Sequence, residues 1–74
     1  MKQVSIRTEY ILLGQFLKFV GIIGNGGESK AFLAQNTVKI NGVEDQRRGK
    51  KLYNGDVIEV LGSKYVVVSS YSVQ

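Results

Sequence analysis

Cysteine and histidine are both missing from this sequence. Their absence excludes disulfides, thiolate nucleophiles, histidine general bases and the usual zinc ligands. Carboxylates are scarce: the six are Glu9, Glu28, Glu44, Asp45, Asp56 and Glu59, and their spacing does not suggest a metal site. No metal, other cofactor or catalytic residue is expected. No apolar run approaches the ~20 residues that span a bilayer, and the N-terminus lacks the basic-then-apolar order of a signal peptide. The expected location is the cytoplasm, with no membrane partner. Without a proline linker, internal repeat or low-complexity tract, the 74 residues are expected to form one domain, 1–74. A chain this short buries only ~60% of its unfolded surface, which disfavours a deep pocket for a small-molecule substrate. Function should sit on a surface.

What is abundant is positive charge. Ten Lys and Arg against the six acids give a formal charge of +4, a bias that attracts polyanions and makes nucleic acid the first candidate partner. The same excess also serves solubility, so placement has to decide. Arg47, Arg48, Lys50 and Lys51 crowd four cations into five residues around Gly49. They read either as a phosphate-binding patch or as a solvated loop partly neutralised by Glu44 and Asp45.

Hydrophobic periodicity sets the elements. Val4, Ile6 and Thr8 alternate with Ser5 and Arg7, which predicts a short edge strand. Leu13, Phe16, Leu17 and Val20 form one apolar helical stripe that ends at Gly21, with Lys18 off the stripe. Gly24, Asn25, Gly26 and Gly27 then predict a turn into a second helix over roughly Glu28 to Gln35, with Asn36 closing its C-terminus. Phe32 and Leu33 should face the first helix, while Lys30 projects from the first turn. Val38 and Ile40 alternate with Lys39 ahead of the tight-turn pair Asn41-Gly42. "EDQRRGKK" is polar throughout, "LYNGD" supplies another turn, and "VIEVL" and "KYVVVSS" are the closing strands around Gly62-Ser63. The expected fold is α+β, a two-helix hairpin packed on a small, mainly antiparallel sheet.

The order helix, turn, helix, "VKING" and "NGDVIEV" resembles the S-four RNA-binding domain, named after ribosomal small-subunit protein four and also called the αL motif. The likeness covers about Leu12 to Val60, through Leu13, Leu17, Gly21, Leu33, Val38, Ile40, Asn41, Gly42, Gly55, Asp56 and Ile58. "GQFLKFVG", "GGESK", "VKING" and "RRGKKL" look most like short, stand-alone bacterial members of the YaaA and YbcJ type. Leu12, Gly14 and Asn25-Gly26 stand where the broader pattern has a basic residue, an aspartate and Ser-Arg. The apolar and turn positions carry the fold assignment.

Two candidate contact regions follow. The turn with Asn25, Gly26, Gly27 and Ser29 can offer backbone N–H groups to a phosphate, reinforced by Lys30, or its glycines can simply meet backbone geometry. Lys18, Lys30, Lys39, Arg47, Arg48, Lys50 and Lys51 are the candidate RNA-binding cations, and the resemblance implies that they share a face. Tyr10, Phe19 and Tyr53 can stack on unpaired bases, although packing in the core or at an edge is the reading favoured for them. Phe16 and Phe32 are expected in the core. The function expected is binding of structured RNA without catalysis, and the resemblance implies ribosomal RNA or a ribosome-assembly intermediate. A protein-interaction adaptor is the alternative. A β-grasp sulfur carrier, suggested by "NGDVIEVL", is disfavoured because the sequence ends in Tyr71-Ser72-Val73-Gln74 rather than Gly-Gly.

Overall fold

The computed structural model describes residues 1–72; Val73 and Gln74, which enter the sulfur-carrier argument, lie outside the described residues. Strand β1 (Lys2–Ile6) and the short strand β2 (Tyr10–Leu12) lead directly into helix α1 (Leu13–Phe19). A 3₁₀ turn (Gly26–Glu28) precedes helix α2 (Ser29–Gln35). Strands β3 (Val38–Ile40), β4 (Val43–Glu44), β5 (Lys51–Tyr53), β6 (Val57–Val60) and β7 (Ser63–Ser69) follow. The main sheet has the order β1-β7-β6-β3-β4, and β2 pairs with β5 in a separate ribbon. The β1–β7 pairing is parallel and the others are antiparallel. The fold is α+β, as the hydrophobic periodicity implies.

Several elements differ from the sequence reading, among them β5, which takes Lys51–Tyr53 from a stretch read as polar loop and turn. The N-terminal strand is at the sheet edge but stops at Ile6, short of Thr8, where the chain bends into β2. β2 itself has no periodic signature of its own. Three residues joined to a helix become a strand only because β5 lies beside them, a tertiary effect that local propensity does not carry. Helix α2 begins at Ser29 because Gly26–Glu28 takes the tighter 3₁₀ turn.

One face of the sheet carries Val4, Val38, Ile40, Ile58, Val60 and Val67, all buried. Leu13, Phe16 and Leu17 of α1 and Leu33 of α2 cover it from the helical side. Phe16 meets Tyr65 of β7 edge-on, with ring centroids 5.4 Å apart and planes at 83°. Gly21 ends the first helical segment at φ +80, a conformation that costs glycine little and a side-chain-bearing residue more. Asn36 closes α2 as expected, its side-chain Nδ2 and backbone N–H both donating to the Phe32 carbonyl.

The turns are pinned to one another. Asn41 and Gly42 have φ of 53 and 84, the paired positive values of a type I′ hairpin. Asp56 links this hairpin to the β5–β6 turn. One carboxylate oxygen accepts from Asn41 Nδ2 at 3.0 Å and the other from the Tyr53 N–H at 2.8 Å. The Asn-Gly and Gly-Asp pairs are therefore cross-braces of the fold.

Candidate nucleic-acid interface

The first backbone N–H groups of a helix have no partner within it. In α1 they are taken by the basic loop: Leu13 N–H donates to the Lys50 carbonyl at 2.8 Å and Gly14 N–H to the Arg48 carbonyl at 2.9 Å. These two bonds fasten the loop against the helix. Gly14 makes the approach possible, because a Cβ there would lie 3.2 Å from Ser29 Oγ and 3.4 Å from Arg48 Cβ. Ser29 is only 2% exposed, and its hydroxyl donates to the Gly26 carbonyl at 2.8 Å. The N-terminus of α1, the glycine turn and the basic loop thus converge on Gly14.

That convergence forms one wall of an open groove of about 1040 Å³, which runs past the bend between β1 and β2. Arg7, Lys18 and Arg48 line it, together with apolar Ile6, Ile11 and Leu12. Among the described residues, none that lines the groove is acidic. Tyr10 and Phe19 also line it. Tyr10 is part of a cluster: its ring lies 5.7 Å from that of Tyr53, and Lys51 Nζ sits 4.8 Å from its centroid. Edge packing holds for those two tyrosines. Phe19 departs from the packing expectation, being 61% exposed, because it falls off the buried stripe at the last position of α1.

The candidate residues separate accordingly. Lys18, Gly26, Ser29 and Arg48 line the groove, and Lys51 reaches its edge through Tyr10. Asn25 and Gly27 are exposed in the turn outside the groove, as is Lys30 on α2. The Gly24 and Asn25 N–H groups already donate to Glu28 Oε1 at 3.2 and 3.1 Å, so an internal carboxylate occupies the place expected for a phosphate at those two amides. Lys50 is half-buried, with its backbone tied to Leu13 and Arg47. Lys39 is on the opposite face of the sheet, in register with Glu44 on one side and Glu59 on the other. Those two carboxylates flank it across the strands, and it does not join the groove.

Arg47 is also diverted. Its guanidinium binds Asp45 at 2.6 Å beside a different hollow, near Thr37 and Glu44. The hydrogen bonds from Arg47 hold the Asp45 carboxyl below its ordinary value of 3.8, and the carboxylate raises the Arg47 value in return. A lowered folded-state pKa stabilises the fold above the ordinary aspartate range, and that contribution is lost as pH falls through the lowered value. Asp45→Asn should therefore lower the melting temperature at pH 7, with the difference from wild type shrinking below about pH 4. A difference that stays constant from pH 7 to pH 2 would rule out the carboxylate charge as its source.

Arg7 is the groove residue that sequence reasoning missed. Alternation assigned it to the outward side of a strand, yet it follows the last strand residue and turns with the bend into the groove.

The family model for the S4 domain matches residues 4–68, nearly the whole described chain. The chain belongs to the S4 domain family. The match extends beyond the core seen in the sequence pattern, taking in most of β1 and of β7. A relative described as probable ribosome maturation protein RlbA, from Bacillus subtilis (strain 168), is 52% identical over 59 residues, covering 80% of this chain and 83% of that protein. Among the described residues of this S4 domain, no helix is long and apolar enough to cross a membrane.

Proposed function

We propose that this S4 domain binds structured RNA in the cytoplasm without catalysing a reaction, and that its target is ribosomal RNA or a ribosome-assembly intermediate. The observation that carries the reading is the groove in which Arg7, Lys18 and Arg48, from three separate segments, converge with no carboxylate among the lining residues. Such an arrangement suits the phosphate backbone, whose charge dominates RNA affinity. Phosphate contacts fix position rather than sequence, so the fold of the RNA selects the target. Arg7, Lys18 and Arg48 make the main contacts in this reading, with Lys51 at the groove's edge and Gly26 and Ser29 forming the adjoining wall. Lys30 and Lys50 lie at its periphery, and Lys39 and Arg47 contribute least because carboxylates face them. The ribosomal target is supported by the ribosome maturation relative.

Ultraviolet cross-linking in cells, followed by sequencing of recovered RNA, tests this. Ribosomal RNA enriched over total RNA, with cross-links reduced by Arg48→Gln, is the expected result. Recovery of protein partners alone would overturn it in favour of an adaptor.

A further inference from the structure

Phosphate binding accounts for the cations of the groove but leaves its apolar lining and its exposed ring unused. Ile6, Ile11 and Leu12 line the same space as Arg7, Lys18 and Arg48, and a site that met only a solvated sugar-phosphate backbone would have no use for them. Phe19, which also lines the groove, is 61% exposed. Tyr10 is already engaged by Lys51 and Tyr53, whereas among the described residues Phe19 has neither an aromatic nor a cationic partner. A free π-face, an apolar surface and nearby cations are the three things an unstacked nucleotide needs: a ring to stack on, a dry floor and a phosphate partner. A volume of about 1040 Å³ also leaves room for the backbone on either side of one base.

We propose that this groove takes an unpaired nucleotide of a structured RNA, with the base against Phe19 and the phosphates beside Arg7, Lys18 and Arg48. The assignment rests on the RNA binding proposed above and narrows it: the target is a helix interrupted by a bulge or junction rather than a continuous duplex. Charge complementarity favours this occupant over an acidic peptide, because every nucleotide carries a phosphate for the cations together with a planar base for the ring, whereas a peptide supplies both only where an aromatic side chain stands beside its carboxylates.

The test uses the full chain and two RNA hairpins that differ only by one bulged nucleotide, replaced by 2-aminopurine so that stacking is read by its fluorescence. The wild-type protein should bind the bulged hairpin about tenfold more tightly than the paired one and quench the probe, as expected for one base–aromatic stack. Phe19→Ala should weaken binding of the bulged hairpin by about tenfold more than that of the paired one, so that the preference is lost, and Phe19→Trp should restore it. Exposure of Phe19 makes the substitution compatible with folding, which circular dichroism checks. Equal wild-type affinity for the two hairpins would overturn the nucleotide site while leaving RNA binding intact, as would equal weakening of both by Phe19→Ala. Failure to bind either hairpin would overturn the RNA reading itself and this proposal with it. Adenosine monophosphate binding as tightly as the bulged hairpin would reassign the groove to free nucleotides and also overturn it.

Discussion

Phe16→Ala should leave the protein largely unfolded at 37 °C. The side chain is completely buried, and its ring joins α1 to the sheet through the edge-on contact with Tyr65. Truncating a buried phenylalanine costs about 3–5 kcal/mol in lost transfer energy and cavity formation. At roughly 0.05–0.15 kcal/mol per residue, a domain of this length has only about 4–11 kcal/mol to lose. The substitution therefore removes a large part of the total, and the melting temperature should fall by roughly 15 °C or more. Phe19→Ala, three residues along the same helix but exposed, serves as the control and should shift it little. Thermal melts followed by circular dichroism give both values. An unchanged midpoint for Phe16→Ala would contradict the docking of α1 on the sheet.

The contrast between these phenylalanines shows what was legible in the sequence. Leu13, Phe16 and Leu17 recur at helical spacing, so the buried face of α1 follows from periodicity alone, whereas the exposure of Phe19 runs against the packing expected for it. Asn41-Gly42 likewise announces a hairpin whose backbone requires positive φ. Leu61 does not announce one: it adopts φ 50 beside Gly62, a conformation disfavoured for leucine that the β6–β7 pairing imposes. Pairing between distant segments was illegible for the same reason, as β2 exists only through β5.

The groove was legible in its ingredients but not in its assembly. Composition identifies Arg47 and Arg48 as equals, yet Asp45 draws Arg47 to one hollow while the bond from Gly14 N–H to the Arg48 carbonyl holds Arg48 beside another. The missing aspartate at Gly14 has a structural reading here, since any side chain at that position would press on Ser29 and Arg48. A turn rich in glycine suggested open amides, but Glu28 folds back onto two of them. Each of these outcomes depends on a contact that neither residue's immediate neighbours specify.

Placement rather than number of charges should therefore govern RNA affinity, and two sets of neutralising substitutions separate the two. Lys18→Gln, Arg48→Gln and Lys51→Gln combined remove cations at the groove and its edge. Each lost phosphate contact flattens the slope of log K against log salt by about 0.9 for duplex-like charge density, which corresponds to about eightfold in affinity between 1 M and 0.1 M salt. Three contacts predict a slope lower by about 2.7 and affinity for a structured ribosomal RNA fragment reduced by roughly two to three orders of magnitude at 0.1 M. Folding should survive, because exposed charges contribute little to stability. The comparison protein carries Lys39→Gln and Arg47→Gln, which remove cations already faced by Glu44, Glu59 and Asp45. Its slope should change by less than about one unit. Binding measured across a salt series for both proteins decides the matter: equal losses per charge removed would show that net charge alone drives association and that the groove has no special part in it.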